Sequence, residues 1–272
     1  MAQYDTLGAF GKVYGDTDLT NLFGGSGGGG GNERQGGSGA GAIKIVSTGT
    51  LTIEAALDLA GAGDILDINN VQAVVFDNAA TVTTTGGGAV NIDGNAAGTL
   101  TIGTGAMNLD GSFIAQDFTG ISTAANITTT NDNITFSNAT TLTGDITLDT
   151  DAAGGNVLFS STLNGTTLGE ESLTVTAGSG TVTLGAVGTT TALEFVDVTT
   201  SGQVTLNGSI ETDDNSGTGN IDFGAATGGI DLGADITLNS DDGASGSGGA
   251  IDLSGSVVDS TGAGDDSLTI TA

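Results

Sequence analysis

The stretch GDITLDTDAAGGNVLF, Gly144 to Phe159, decides the fold. It returns at the same length as GSIETDDNSGTGNIDF, Gly208 to Phe223, and more loosely as ADITLNSDDGASGSGGAIDL from Ala234. Within DITLD, Ile146 and Leu148 share one side while Asp145, Thr147 and Asp149 share the other, the period of a half-buried strand. NVLF repeats the rule with Val157 and Phe159. The link TDAAGG has what a tight corner needs: acids that bond their own backbone and glycine that accepts positive φ. One strand–corner–strand unit cannot close a core. Many stacked units can, each burying its apolar row against the next.

Moving outward, the same alternation recurs from Ala42 on, in AIKIV, TLTIE, AVNID, TLTIG, NITF, SLTVT, TVTL, QVTL, GIDL, AIDL and SLTIT. Gly, Asn, Asp, Ser and Thr clusters separate these segments and mark turns. TIEAALDLAG, Thr52 to Gly61, is the nearest approach to a helical pattern and allows one helical turn. Similar strands recur about every 20 residues, as from Ile127 to Ile146, with loops of variable length inserted. The expectation is an all-β chain folded as a parallel β-helix (a β-solenoid) of roughly 10–12 coils, a rod about 50–60 Å long. Asn133, Asn156 and Asn220 each precede a phenylalanine, Phe136, Phe159 and Phe223, by three positions, which predicts stacked Asn and Phe ladders. Residues 1–22 read as an N-terminal cap or extension. Residues 23–41, FGGSGGGGGNERQGGSGAG, read as a Gly-rich linker. Residues 42–272 form the repeat domain.

Composition narrows the chemistry. The 272 residues include 50 Gly and no Pro, Cys, Trp or His. Without His or Cys there is no Ser-His-Asp or Cys-His catalysis, no thiolate metal site and no disulfide scaffold. Aromatics are 4%, so Ile, Val, Leu and Ala must fill a narrow interior. The bases are Lys12, Arg34 and Lys44; from Ile45 onward there are 28 acids and none. Such a skin repels nucleic acid and anionic lipid. No membrane span and no signal peptide are visible in the sequence.

Gly144 to Asp214 resembles the repeat region of filamentous-haemagglutinin-like large exoproteins, above all in SLTVTA, GTVTLGAVG and GQVTLNGSI. The likeness is clear over the last half of the chain and weaker over residues 42–143. It implies a right-handed parallel β-helix, an extracellular or cell-surface location and an adhesive role. The family's secretion domain is not recognised here, which leaves the export route open.

The sequence offers three kinds of site. Acids at the corners could hold calcium if the corners stack, because carboxylates about 5 Å apart repel and a hard cation takes oxygen ligands. The candidates are Asp149, Asp151, Asp213, Asp214, Asp241, Asp242, Asp265 and Asp266, the last two within GAGDDSL, a partial match to a calcium-binding nonapeptide. The competing reading makes them turn formers facing water. Threonine rows such as TVTTT (Thr81 to Thr85) suit an ice-binding lattice or simply the exposed face of a strand. Paired acids, Asp213–Asp214, Asp241–Asp242 and Glu170–Glu171, could hydrolyse a glycosidic bond, but no base or aromatic platform accompanies them. The expected function is a non-enzymatic structural or adhesive rod that self-associates end to end, with its surface ligand open. The alternatives are a calcium-stabilised surface-layer protein, a polysaccharide-cleaving enzyme on the same helix, and a string of Ig-like sandwiches. The absence of Trp and Pro disfavours the last.

Overall fold

The structure is a computed structural model that describes residues 42–47, 49–63, 65–213, 219–241, 248–260 and 266–272. The cap at 1–22 and the linker at 23–41 therefore lie outside the described residues. Among the described residues every regular element is a strand, and the strands pair in parallel. Thr52 to Gly61 makes no helical turn. It holds the strands Thr50–Ile53 and Leu57–Ala62, because Leu51, Ile53 and Leu59 alternate inward and are buried.

Each circuit visits three faces. In the first, Ala42–Val46 lies on one face, Thr50–Ile53 on the second and Leu57–Ala62 on the third. The chain then climbs into Ile65–Phe76, a long bent strand that pairs with both Ala42–Val46 and Thr50–Ile53. The bend falls at Asn70, with Ala96 and Asp117 at the same place in the next two circuits. All three have positive φ, a conformation that Asn and Asp tolerate well. The first face stacks ten strands from Ala42–Val46 to Val258–Asp259. The third stacks nine, from Leu57–Ala62 to Ile251–Asp252.

About 8 turns of this solenoid are closed by buried residues on all three faces; past them Ile251, Val258 and Ile270 stand partly open. The expected ten to twelve coils are thus too many, because the coil is longer than about 20 residues. Register partners lie 21 residues apart at Phe113–Ile134 and 28 apart at Ile230–Val258. Three strands and three corners need that length, and loops lengthen the last circuits. Ten rungs about 4.8 Å apart give a rod about 43 Å tall, shorter than anticipated.

The repeats that revealed the fold are not equivalent in space. Ile146–Asp149 lies on the third face and Val157–Phe159 on the first. In the second copy Ile210–Glu211 continues the second face and Ile221–Asp222 the third. The copies share a sentence but are displaced by one face, since the period of two constrains a strand and not which wall it occupies.

The interior is one continuous hydrophobic cluster running the height of the stack. Phe136 stacks on Phe159 with ring centroids 4.9 Å apart and planes 3° apart, and Phe113 meets Phe136 at 5.2 Å and 48°. Phe223 does not extend this stack, because it follows Ile221–Asp222 on the third face. The Asn ladder forms by a different bond from the one expected. Asn133, Asn156 and Asn220 accept, through Oδ1, the backbone N–H of Asn156, Thr181 and Ala250 on the next rung, each at 2.8 Å.

The corner between the third and first faces brings backbone against backbone. A Cβ on Gly155 would lie 2.0 Å from the Asp132 carbonyl oxygen, and one on Gly180 would lie 1.9 Å from that of Gly155. Gly202 meets Gly180 and Gly228 meets Gly202 in the same way, at 2.2 Å each. Buried hydroxyls close the same corner: Thr150 Oγ1 donates to the Gly155 carbonyl at 2.8 Å and Thr200 Oγ1 to that of Gly180 at 2.6 Å. Two outcomes are expected in urea titrations. Gly180→Ala lowers stability by about 1–3 kcal/mol through overpacking, whereas Phe136→Ala lowers it by about 3–5 kcal/mol through a cavity.

Candidate functional site

The acid corners resolve differently from one another. Asp149 is half-buried on the third face, where its register neighbours are Thr128 and Thr176, not acids. Its Oδ1 accepts the N–H of Asp151 at 2.8 Å. Asp151 is exposed at positive φ and accepts the N–H of Ala152 at 2.6 Å. Both carboxylates therefore shape their own turn. Asp213 and Asp241 occupy another corner, between the second and third faces. There Thr212 Oγ1 and Ser240 Oγ each donate at 2.7 Å to a carbonyl across the loop, that of Gly219 and of Gly249. The alignment of Asp149 and Asp151 with Asp213 and Asn215 thus does not bring those acids together. Asp266 accepts from Ser260 Oγ at 3.2 Å. Asp214, Asp242 and Asp265 lie outside the described residues. Among the described residues no group of three or more acids is placed to hold a metal ion.

Of the three acid pairs, only Glu170–Glu171 lies wholly among the described residues. The Glu171 carboxylate is buried and accepts the N–H groups of Thr166 and Thr167, each at 3.1 Å, together with the Thr166 hydroxyl. It pins a loop from inside. A shallow, open trough of about 290 Å³ lies on the third face, lined by Thr83, Thr85, Asn108, Asp110, Thr128 and Thr130. Its outward column reads Asp58, Thr83, Asn108, Thr128, Asp149, so threonines are interrupted and no regular hydroxyl lattice arises.

Register creates an acidic column that the linear sequence does not display. Asp197, Asp222 and Asp252 sit directly above one another on the third face, and Asp231 and Asp259 do so on the first. The hint was an Asp at the centre of VDVT, NIDF, GIDL and AIDL, but only pairing shows that these strands are neighbours. Burial, with the charge of Asp222 beside it, holds the Asp197 carboxyl above the ordinary carboxylate range. Hydrogen bonds from the Ser254 side chain and backbone hold the exposed Asp252 below it.

Among the described residues no helix is long and apolar enough to cross a membrane. Comparison with protein-family models, with curated proteins and with solved structures returns no match.

A carboxyl with a raised folded pKa keeps its proton better folded than unfolded. Its charge therefore opposes folding fully above the folded pKa, and the penalty fades as pH falls through that range toward the unfolded value. Asp197→Asn should accordingly raise the melting temperature at pH 7, with an advantage over wild type that shrinks toward about pH 4. Circular-dichroism melts across pH read this directly; an Asn variant no more stable at pH 7 contradicts it.

Proposed function

We propose that the chain is a non-enzymatic structural rod of a bacterial surface exoprotein, similar to the shafts of filamentous-haemagglutinin-like adhesins, and that its copies associate end to end. One observation carries this reading. The interior of the stack is filled along its height by aliphatic and phenylalanine side chains from successive rungs, so the chemistry left to the molecule lies in its length, its skin and its two ends. The skin is acidic, with a net charge of −29 for the whole chain, which keeps rods apart laterally and disfavours nucleic acid as a partner. Among the described residues the stack starts and finishes on strands, and a strand edge pairs with another strand of suitable register. The winding is taken as right-handed, as parallel crossovers are in about 98% of cases. The location that suits such a rod is extracellular or on the cell surface.

Negative-stain electron microscopy of the purified protein tests the reading. Rods about 4 nm tall or multiples of that height are expected; globular particles without a long axis overturn it. The carboxylates of Asp149 and Asp151 accept backbone N–H groups, which supports a turn-forming role without calcium. A chelator should therefore leave the melting temperature unchanged in calorimetry. A fall of several degrees would favour the calcium-stabilised surface-layer alternative.

A further inference from the structure

We infer that the two ends of the stack are complementary in one register, so that the first rung of a second copy continues the last rung of this one, its Lys44 set against Asp259. The inference rests on the end-to-end reading above and specifies how the ends meet.

The columns of the first face supply the argument. Lys44 lies in register with Asp67, and the column climbs through Asn91, Ile114, Thr135, Leu158, Thr183, Thr205 and Asp231 to Asp259. Lys44 and Asp259 thus end the same outward column at opposite ends of the rod. Within the chain Lys44 Nζ reaches Asp67 at 3.1 Å from one rung away. A second copy seated on the last rung would place its Lys44 one rung from Asp259, the same geometry across the junction. Asp259 is exposed and accepts the N–H of Ser260 at 2.8 Å, and the like charge of Asp231 lies one rung below it. Among the described residues Lys44 is the only base, so no other described position offers that compensation.

The apolar columns agree with this register. Ile43 shares the inward column that ends at Val258, and Leu51 the one that ends at Ile270. Both far ends are partly uncovered, with Ile270 51% and Val258 37% exposed. At the near end Ile43 and Leu51 are buried, at 9% and 6% exposure, against 0% for Leu66 and Val74 one rung up. Stacking a copy would pair strand edges on both faces, cover Val258 and Ile270 with Ile43 and Leu51, and set the Lys44 charge between Asp67 and Asp259. The apolar rows and backbone ladder hold the junction, and the charge pair selects its register.

Sedimentation velocity of the full chain at about 0.15 M salt, where the repulsion between acidic copies is screened, tests this, with electron microscopy alongside. Wild type should form end-to-end chains. Lys44→Glu and Asp259→Lys should each weaken association at least about tenfold when alone, because like charges then face each other. Mixing the two variants should restore alternating chains, since every junction regains opposite charges. Folding of each variant is checked by its circular-dichroism melt. Should Lys44→Glu fail to fold, Asp259→Lys on the last, exposed rung carries the test, with Asp259→Asn expected to weaken association less. Chains unaffected by either substitution overturn the register and leave end-to-end association standing. Rods that remain monomeric overturn the inference while preserving the rod. Globular particles overturn the underlying reading itself.

Discussion

Parallel pairing between successive rungs governs everything else in this molecule. The strands are mostly two to four residues long, too short to hold one another in isolation. Each is fixed because its N–H and C=O groups face the rungs on either side about 4.8 Å away. The corners join the ladder too: Leu163 donates to Ala186, Val187 to Ser209 and Thr212 to Asn239 across successive circuits. Once the rungs must sit at that spacing, whatever occupies a given position of one circuit is pressed on by its equivalent in the next.

That pressure explains the composition. Where the backbone turns tightly between the third and first faces, Gly155, Gly180, Gly202 and Gly228 recur because a Cβ would strike the carbonyl of the rung below. Where the backbone turns over a wider loop, buried hydroxyls such as Thr212 and Ser240 close it internally. On the inner face the spacing favours residues that stack on themselves, as Phe136 does on Phe159. On the outer face the same stacking sets like charges together, and burial first, then the charge of Asp222, raises the Asp197 carboxyl. A single geometric rule thus stabilises the interior and strains the skin.

The rule also leaves the ends unlike the middle. Inner residues in the body of the stack are covered from above and below, while Val258 and Ile270 are covered from one side only. A repeat architecture of this kind needs something at each terminus, whether a dedicated cap or another rung. In this chain the sole described base and an aspartate stand at opposite ends of one column.

The sequence by itself determined the class of fold and the orientation of side chains. Alternation in DITLD, NVLF, TVTL and QVTL placed Ile146, Leu148, Val157, Phe159, Val182 and Val204 inside, and all are buried. A period of two can be read locally because it depends only on neighbours along the chain. Corner residues were legible for the same reason: Asp149 and Asp151 bond within their own turn. Only the tertiary structure decided how many residues close a circuit, and so which repeats lie above one another. The copies at Gly144 and Gly208 read alike yet start on different faces, and Phe223 left the stack of Phe136 and Phe159 accordingly. Circuit length depends on loops whose sequences vary freely, so it is invisible to any local pattern. The columns it creates, Asp197 over Asp222 over Asp252 and Lys44 through to Asp259, join residues that share no neighbourhood in the chain.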